Sequence, residues 1–493
     1  MVIELAVVLL LLATGVLLLQ AVGWSGWAVL PLGWLVGLAV HVAVIHVQAV
    51  LRIPTSALFP LALVTAVAAL AWLFGRRSGR AVPFDPLVVA VTVVAVAGVV
   101  VVAWEANLVR YHYDSIRYLV ATSVIAQGDI ASLSENLFMK RLSSASLLNT
   151  YAFLGDGFYL RSLIPLTSLS TLATLYWVLQ VGLPRVTTVR RAAPVAGVLG
   201  IGLLVSNYGY LWHSFYINGH LLFAAFALMA TGAAWLLALE VAPPRVGLVV
   251  MMLAGVVGAL LSREEAPLLV ALVLVPVLLT PAIDLRVRRL LALTAGVTIL
   301  LEQALLATLL GRIDLPVESE VQYLAVLGLV LVVVAPVLGA GWVRRSSRLL
   351  VWIAEAGLWV ALGIYAVADD DVLRDSAVAE WTNFVLGDGL WGLAIVTTVA
   401  LVVWALVRPP FPHRSILRFP VSAFLPMAFL LAYLREGAFR AGPYDSMNRI
   451  VLQVVPLAVL FVMVAVSAER GAPADDERGD LDPAPRDVSK VTA

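Results

Sequence analysis

An all-α polytopic membrane protein is the fold class this sequence predicts, and three observations predict it. Apolar stretches of about twenty residues recur along nearly the whole chain, each long enough to cross the ~30 Å hydrocarbon core of a bilayer. Of the 493 residues, 62% are hydrophobic and only 13% charged, so the bilayer acts as solvent for most of the protein. Arginine-rich loops recur on alternate connections, which places them on one side, and the positive-inside rule makes that side the cytoplasm.

Taken in order, about fifteen spans follow from this pattern. Segments 3–22, 27–50 and 57–75 lead to Arg76, Arg77 and Arg80; segment 86–106 leads to a long outer segment, 107–156. Segment 157–183 ends at Arg185, Arg190 and Arg191, and 193–210 runs into the aromatic loop "SNYGYLWHSFYINGH" at 206–220. Segments 219–241 and 245–262 precede the outer turn "SREEAP", and 266–282 precedes Arg286, Arg288 and Arg289. Segments 290–310 and 321–342 flank "GRIDLPVESE", then Arg344, Arg345 and Arg348 follow. Segments 349–368 and 387–407 enclose the acidic stretch 369–389, and 418–434 and 449–468 enclose "REGAFRAGPYDSMNR". The N-terminal stretch lacks a basic region and a cleavage site, and reads as a retained helix. The tail 469–493 is polar, without apolar period, and is expected to be cytoplasmic and disordered.

Composition also excludes. The formal net charge is +1, which gives nucleic acid no electrostatic footprint, and the chain has no cysteine, so disulfides, zinc–thiolate sites and thiol chemistry are out. No HExxH, P-loop, dinucleotide fingerprint or GxSxG elbow occurs. No tandem repeat is visible, and an odd number of spans argues against a simple duplicated transporter.

One face thus carries basic stubs and the other carries the chemistry. In 107–156, Ile116, Leu119, Val120, Val124 and Ile125 fall at helical spacing, and Phe138, Leu142, Ala145, Leu148 and Tyr151 repeat the pattern after Gly128. Two amphipathic helices lying in the interface plane are predicted. Asp114 stands where a helix ends and water begins, one turn before Arg117 and beside His112, Tyr113 and Tyr118. A carboxylate there can serve as a general base; equally it can cap the interfacial helix and pair with Arg117.

A transmembrane helix, then "YHYDSIRY", then a large first outer loop of interfacial helices resembles the core of the GT-C membrane glycosyltransferases. "LSREEAPLL" resembles the Arg–acid pattern at the outer end of a mid-chain helix in that superfamily, and "NRIVLQVVP" the arginine that opens a late helix. The resemblance covers roughly residues 86–320 and implies a polyprenyl-phosphate sugar donor, a glycan or lipid-linked acceptor in the cell envelope, and a single inverting displacement, usually without an obligatory catalytic metal. Under it the chain divides into an N-terminal transmembrane extension 1–80, a GT-C-like core 81–320 with the outer loop 107–156, a variable transmembrane module 321–468 and the tail 469–493. About three extra spans precede the helix that leads into the acidic motif, where the superfamily usually places the motif after its first transmembrane helix. The implied location is a bacterial plasma membrane with the active site on the extracytoplasmic side.

Sugar transfer from a phospholipid needs a base at the acceptor hydroxyl, for which Asp114 is the candidate, and a cation for the departing phosphate. Arginine holds two phosphate oxygens at once, and Arg449, Arg263 and Arg117 are the outer-face candidates. Arg449 also reads as an interfacial anchor, and Arg263, followed by Glu264 and Glu265, as a self-neutralised turn. His112, Tyr113, Tyr210, His213, Glu264, Tyr444 and Asp445 are the candidate substrate contacts, while the aromatic loop also fits a membrane-interface belt and "GPYDS" an ordinary turn. His41, His46, Gln48, Glu302, Gln303 and Glu355 lie within spans and must face partners or a cavity. Asp369, Asp370 and Asp371 suit either a hard divalent cation or a solvated loop. The rival function is a secondary transporter or flippase, which should show broken helices.

Overall fold

The computed structural model describes residues 1–54, 59–77, 86–107, 109, 113–129, 144–155, 157–189, 191–241, 244–312, 319–434, 437–442 and 445–468. The tail 469–493 lies outside the described residues. All described elements are helices: α1 (Val2–Ala21), α2 (Val29–Val50), α3 (Phe59–Arg77), α4 (Pro86–Glu105), α5 (Tyr113–Ala126), α6 (Ser144–Asn149), α7 (Leu163–Gly182), α8 (Ala192–Ser206), α9 (Tyr208–His213) and α10 (His220–Ala238) in the first half. The second half adds α11 (Arg245–Leu260), α12 (Ala266–Leu279), α13 (Leu285–Arg312), α14 (Ser319–Val337), α15 (Gly341–Arg345), α16 (Ser347–Ala368), α17 (Asp370–Phe384), α18 (Leu393–Leu406), α19 (Arg414–Ser422), α20 (Phe424–Leu434), α21 (Ser446–Leu452) and α22 (Val455–Ser467).

Every expected span carries a helix, but not every helix is a full crossing. Among the described residues seven helical stretches are long and apolar enough to cross a membrane, eight if α21 and α22, bent by 43°, form one broken span. These mark an integral membrane protein; about fifteen crossings are not shown. Some of the remaining helices are too short. α12 and α18 have 14 residues each, about 21 Å of rise against ~30 Å of hydrocarbon.

Helix α10 is the hub. Beyond His220 its sequence is almost wholly apolar, and all of its residues are buried against neighbours that include α7, α11, α12, α19 and α22. At the N-terminal edge, α1 and α2 touch through glycine: a Cβ on Gly37 would sit 2.0 Å from the Leu11 carbonyl oxygen. Small residues let membrane helices approach this closely and gain dispersion contacts that lipid cannot supply.

Polar side chains fix the ends. Glu4 at the start of α1 accepts from the Ser162 amide at 2.8 Å, the Ser162 hydroxyl at 2.6 Å and Trp104 Nε1 at 2.6 Å. One carboxylate therefore joins the starts of α1 and α7 to the end of α4. Arginines of the basic loops donate to helix C-terminal carbonyls: Arg288 to Leu278 and Ile283, Arg289 to Ala335 and Pro336, and Arg414 to Ala405 and Leu406. A cation there also offsets the negative end of the helix dipole.

The intramembrane polar residues mostly find protein partners. His41 bridges Thr14 at 3.1 Å and Tyr151 at 2.9 Å, Gln48 donates to the Ile53 carbonyl, and Glu355 pairs with Arg418, whose guanidinium lies 3.9 Å from the Trp352 ring centroid. Glu302 and Gln303 are buried in α13. Neither ring nitrogen of His46 meets a partner among the described residues.

Candidate active site

Helix α5 covers a polar cluster, to which Tyr118 belongs. In α5 the buried stripe is Ser115, Tyr118, Ala121, Thr122 and Ile125, whereas Ile116 and Val120 are exposed. The amphipathic helix exists, but its inward face is rotated from the apolar stripe that the spacing predicts. The hydroxyls account for the rotation: Ser115 donates to the Ile217 carbonyl at 3.1 Å and Thr122 to the Ser146 carbonyl at 3.1 Å. Helix α6 is buried throughout and its first amide donates to the Leu261 carbonyl at 3.0 Å. Phe138 and Leu142 lie outside the described residues.

At the centre stands Arg263. Its Nε donates to Glu265 at 2.7 Å, and Nη1 donates to Tyr118 at 3.3 Å and to His220 Nε2. Burial works against the guanidinium charge, but Glu265, with Tyr118 and Glu264, outweighs it and raises the pKa above the ordinary arginine value. Because arginine only donates, His220 Nε2 must be the accepting nitrogen, and the ring keeps its proton on Nδ1. The Gln453 amide nitrogen lies 2.9 Å from that Nδ1 while Oε1 is without a partner. Turning the amide by half a rotation satisfies both groups. His213 is neutral beside them: burial pushes it down to about 3, and Asn218 links its Nδ1 at 2.8 Å to the His220 amide at 3.0 Å.

Helix α9 separates this cluster from an apolar groove of about 460 Å³ between α4, α7 and α8. Ala95, Val102, Leu169 and Phe215 line its walls. On its floor Ser168 bonds both Tyr210 and Ser214, at 3.1 and 2.8 Å. The groove therefore ends in hydroxyls one helical turn from His213.

The expected site residues divide accordingly. Arg263 and His213 belong to the cluster, and Arg117 and Glu264 are half-buried in α5 and beside Arg263. Tyr210 faces the groove instead, fully buried. Arg449 does not open a helix as expected: it lies half-buried in the last turn of α21, which Asp445 caps by accepting from the Met447 amide at 2.7 Å. The break before α22 comes where Pro456 occupies its first turn. Tyr113 and Asp114 are described by backbone alone, in the first turn of α5; His112 and Tyr444 lie outside the described residues. The acids at 369–371 do not converge on a metal site: Arg374 pairs with Asp371, Asp370 and Asp375 on an exposed helix. Among the described residues no three His, Asp or Glu side chains gather as metal ligands.

Sequence reasoning passed over Gln453, although a lone amide inside an apolar stretch is itself a sign of a required partner. Comparison of the chain with protein-family models, curated proteins and solved structures finds no match.

Proposed function

We propose that this protein is a membrane glycosyltransferase of GT-C type that moves a sugar from a polyprenyl-phosphate donor to a cell-envelope glycan or lipid-linked acceptor. The observation that carries the reading is the apolar groove ending one helical turn from His213, which stands beside His220 and Arg263, the latter bonded to Tyr118 of α5. Such a groove suits a prenyl chain, and the polar cluster a sugar phosphate at its mouth. Asp114 takes the proton of the acceptor hydroxyl, the oxygen attacks the anomeric carbon, and the bond from that carbon to the phosphate oxygen breaks with its electron pair leaving on the lipid phosphate. Arg449, Arg263 and Arg117 are the cations assigned to the charge that grows there. No metal is required by this scheme.

The test is consumption of a synthetic polyprenyl-phosphate sugar by the full chain in nanodiscs, with Asp114→Asn as the control. Asp114→Asn should abolish turnover and change stability by no more than ~1 kcal/mol, the worth of a cap. A variant retaining more than about a tenth of the rate, a barrier change under ~1.4 kcal/mol, would make Asp114 structural. A second reading, a flippase or transporter, draws on the 43° break between α21 and α22, since broken helices form transport sites. Movement of intact donor across the vesicle membrane, without sugar transfer, would favour it.

A further inference from the structure

Helix α17 runs between two helices that face lipid. Before it comes α16, one of the stretches long and apolar enough to cross a membrane, and after it comes α18. Val360, Ile364 and Val367 are exposed along α16, and Leu393, Val396, Val399 and Val403 along α18. At three- and four-residue spacing each set forms one stripe, and in a membrane protein such a stripe lies against acyl chains. The stripes reach the ends that adjoin α17, where Val367 is 91% and Leu393 81% exposed.

The inward face of α17 is occupied. Ser376 accepts from the Phe439 amide at 3.1 Å, while Asn383 accepts from the Gly442 amide at 2.7 Å and donates to the Arg440 carbonyl at 3.0 Å. Ala379 and Glu380 are buried between these two contacts. The outward face changes character halfway. Its first half carries Asp370, Asp371, Arg374 and Asp375, with the arginine paired to all three acids. Its second half exposes Ala377, Val378 and Trp381, and Val385 and Leu386 prolong that surface beyond the last turn. Val378, Trp381 and Val385 share one side of the helix, and no charged side chain is exposed between Asp375 and Asp388.

A tryptophan 60% exposed among valines and a leucine is poorly placed in water and well placed at a membrane surface, where the ring sits at head-group level. Two features name the occupant. The patch is bracketed along the chain by the lipid-facing ends of α16 and α18, so it continues a surface that hydrocarbon already covers. It is also small: five side chains, against the roughly 20–30 residues a side of a stable protein–protein interface. We propose that α17 is a membrane-interface helix, its charged first half in the head-group layer and Val378, Trp381, Val385 and Leu386 inserted among the acyl chains. Outward it carries three carboxylates and one guanidinium, so anionic head groups are not the attraction; the partner is the acyl-chain boundary of a neutral bilayer. Ser376 and Asn383 then tie the 439–442 stretch to a helix seated on the membrane. The proposal holds whichever side α17 occupies and does not rest on the glycosyl-transfer reading.

The experiment uses the full chain, which has no native cysteine, in nanodiscs of phosphatidylcholine. Val378→Cys and Trp381→Cys each carry an environment-sensitive fluorophore, with Val367→Cys as the lipid reference and Asp371→Cys as the water reference; all four positions are exposed, so the fold tolerates the label. A nitroxide lipid, labelled near the head-group end of its acyl chain, should quench positions 378 and 381 at least about threefold more than 371, and aqueous iodide should do the reverse. Iodide quenching at 378 and 381 equal to that at 371 would overturn the assignment. Protection from both quenchers would overturn it too, with a second copy or another part of this chain over the face. Quenching by the nitroxide lipid only after phosphatidylglycerol is added would show a head-group contact in place of an acyl-chain one, and would equally refute it.

Discussion

Arg263 tests whether the cluster's arginine is a partner of the fold or a group waiting for substrate. Its side chain is 10% exposed and that of Glu265 is 4% exposed, 2.7 Å apart. Replacing Arg263 with leucine leaves the Glu265 carboxylate buried without its nearest cation and removes the donor from His220 and Tyr118. Breaking a buried pair by taking one partner costs about 3–5 kcal/mol, whereas removing both partners together is often close to neutral. Arg263→Leu should therefore lose most of that amount, Glu265→Leu a similar amount, and the double variant much less than the sum, a coupling of at least ~2 kcal/mol. Equilibrium unfolding in mixed micelles, followed by tryptophan fluorescence, measures all four proteins. If Arg263→Leu kept wild-type stability, or if the double variant were additive, the pair would not hold the cluster, and Arg263 would be available for a ligand phosphate in the ground state.

Three further outcomes follow from the same structure. Arg449→Lys keeps the charge and loses the two-pronged geometry, so single-turnover rate should fall more than donor affinity, with Arg449→Ala worse in both; an unchanged single-turnover rate in Arg449→Ala refutes its role. With no native cysteine, Phe158→Cys and Gly341→Cys, both at exposed positions, should react with a membrane-impermeant maleimide from opposite sides, the first from outside intact cells; labelling of Gly341→Cys alone would invert the topology. Glu380 has a folded pKa of about 9, raised from 4.5 by burial and then Asp445, so its favourable protonation is fully present below pH 4.5 and lost as pH rises through about 9. The wild type should lose stability across that window relative to Glu380→Gln; parallel curves would show that Glu380 is solvated.

The existence of α10 was legible, because 220–238 is long and apolar enough to cross a bilayer, but its central place was not: α4 is as apolar, yet Val91, Val94 and Val102 on it are exposed. Helix α5 was legible in period but not in orientation. Its hydroxyls find carbonyls at Ile217 and Ser146, tertiary partners that no local spacing reveals, and these override the apolar stripe. Arg263 and Glu265 were adjacent enough to suggest their pairing, whereas His220 meets Gln453 across 233 positions. Glu380 was hidden for the opposite reason. It sits in an acidic stretch that reads as exposed, and only the folded structure shows that it is buried.

The carboxylate of Glu4 sets a timetable for the chain. It is made well before its partner: two of its bonds come from Ser162, 158 positions later. At a synthesis rate of ~5–20 residues per second, the first helix waits roughly 10–30 s before those bonds can form. Through that interval α1 can pack on the helices already made, α2 and α3 among them, while the Glu4 carboxylate has water and head groups for partners until α4 supplies Trp104 and then Ser162 follows at the start of α7. The start of α1 is thus locked late, by a helix made long after α1 itself.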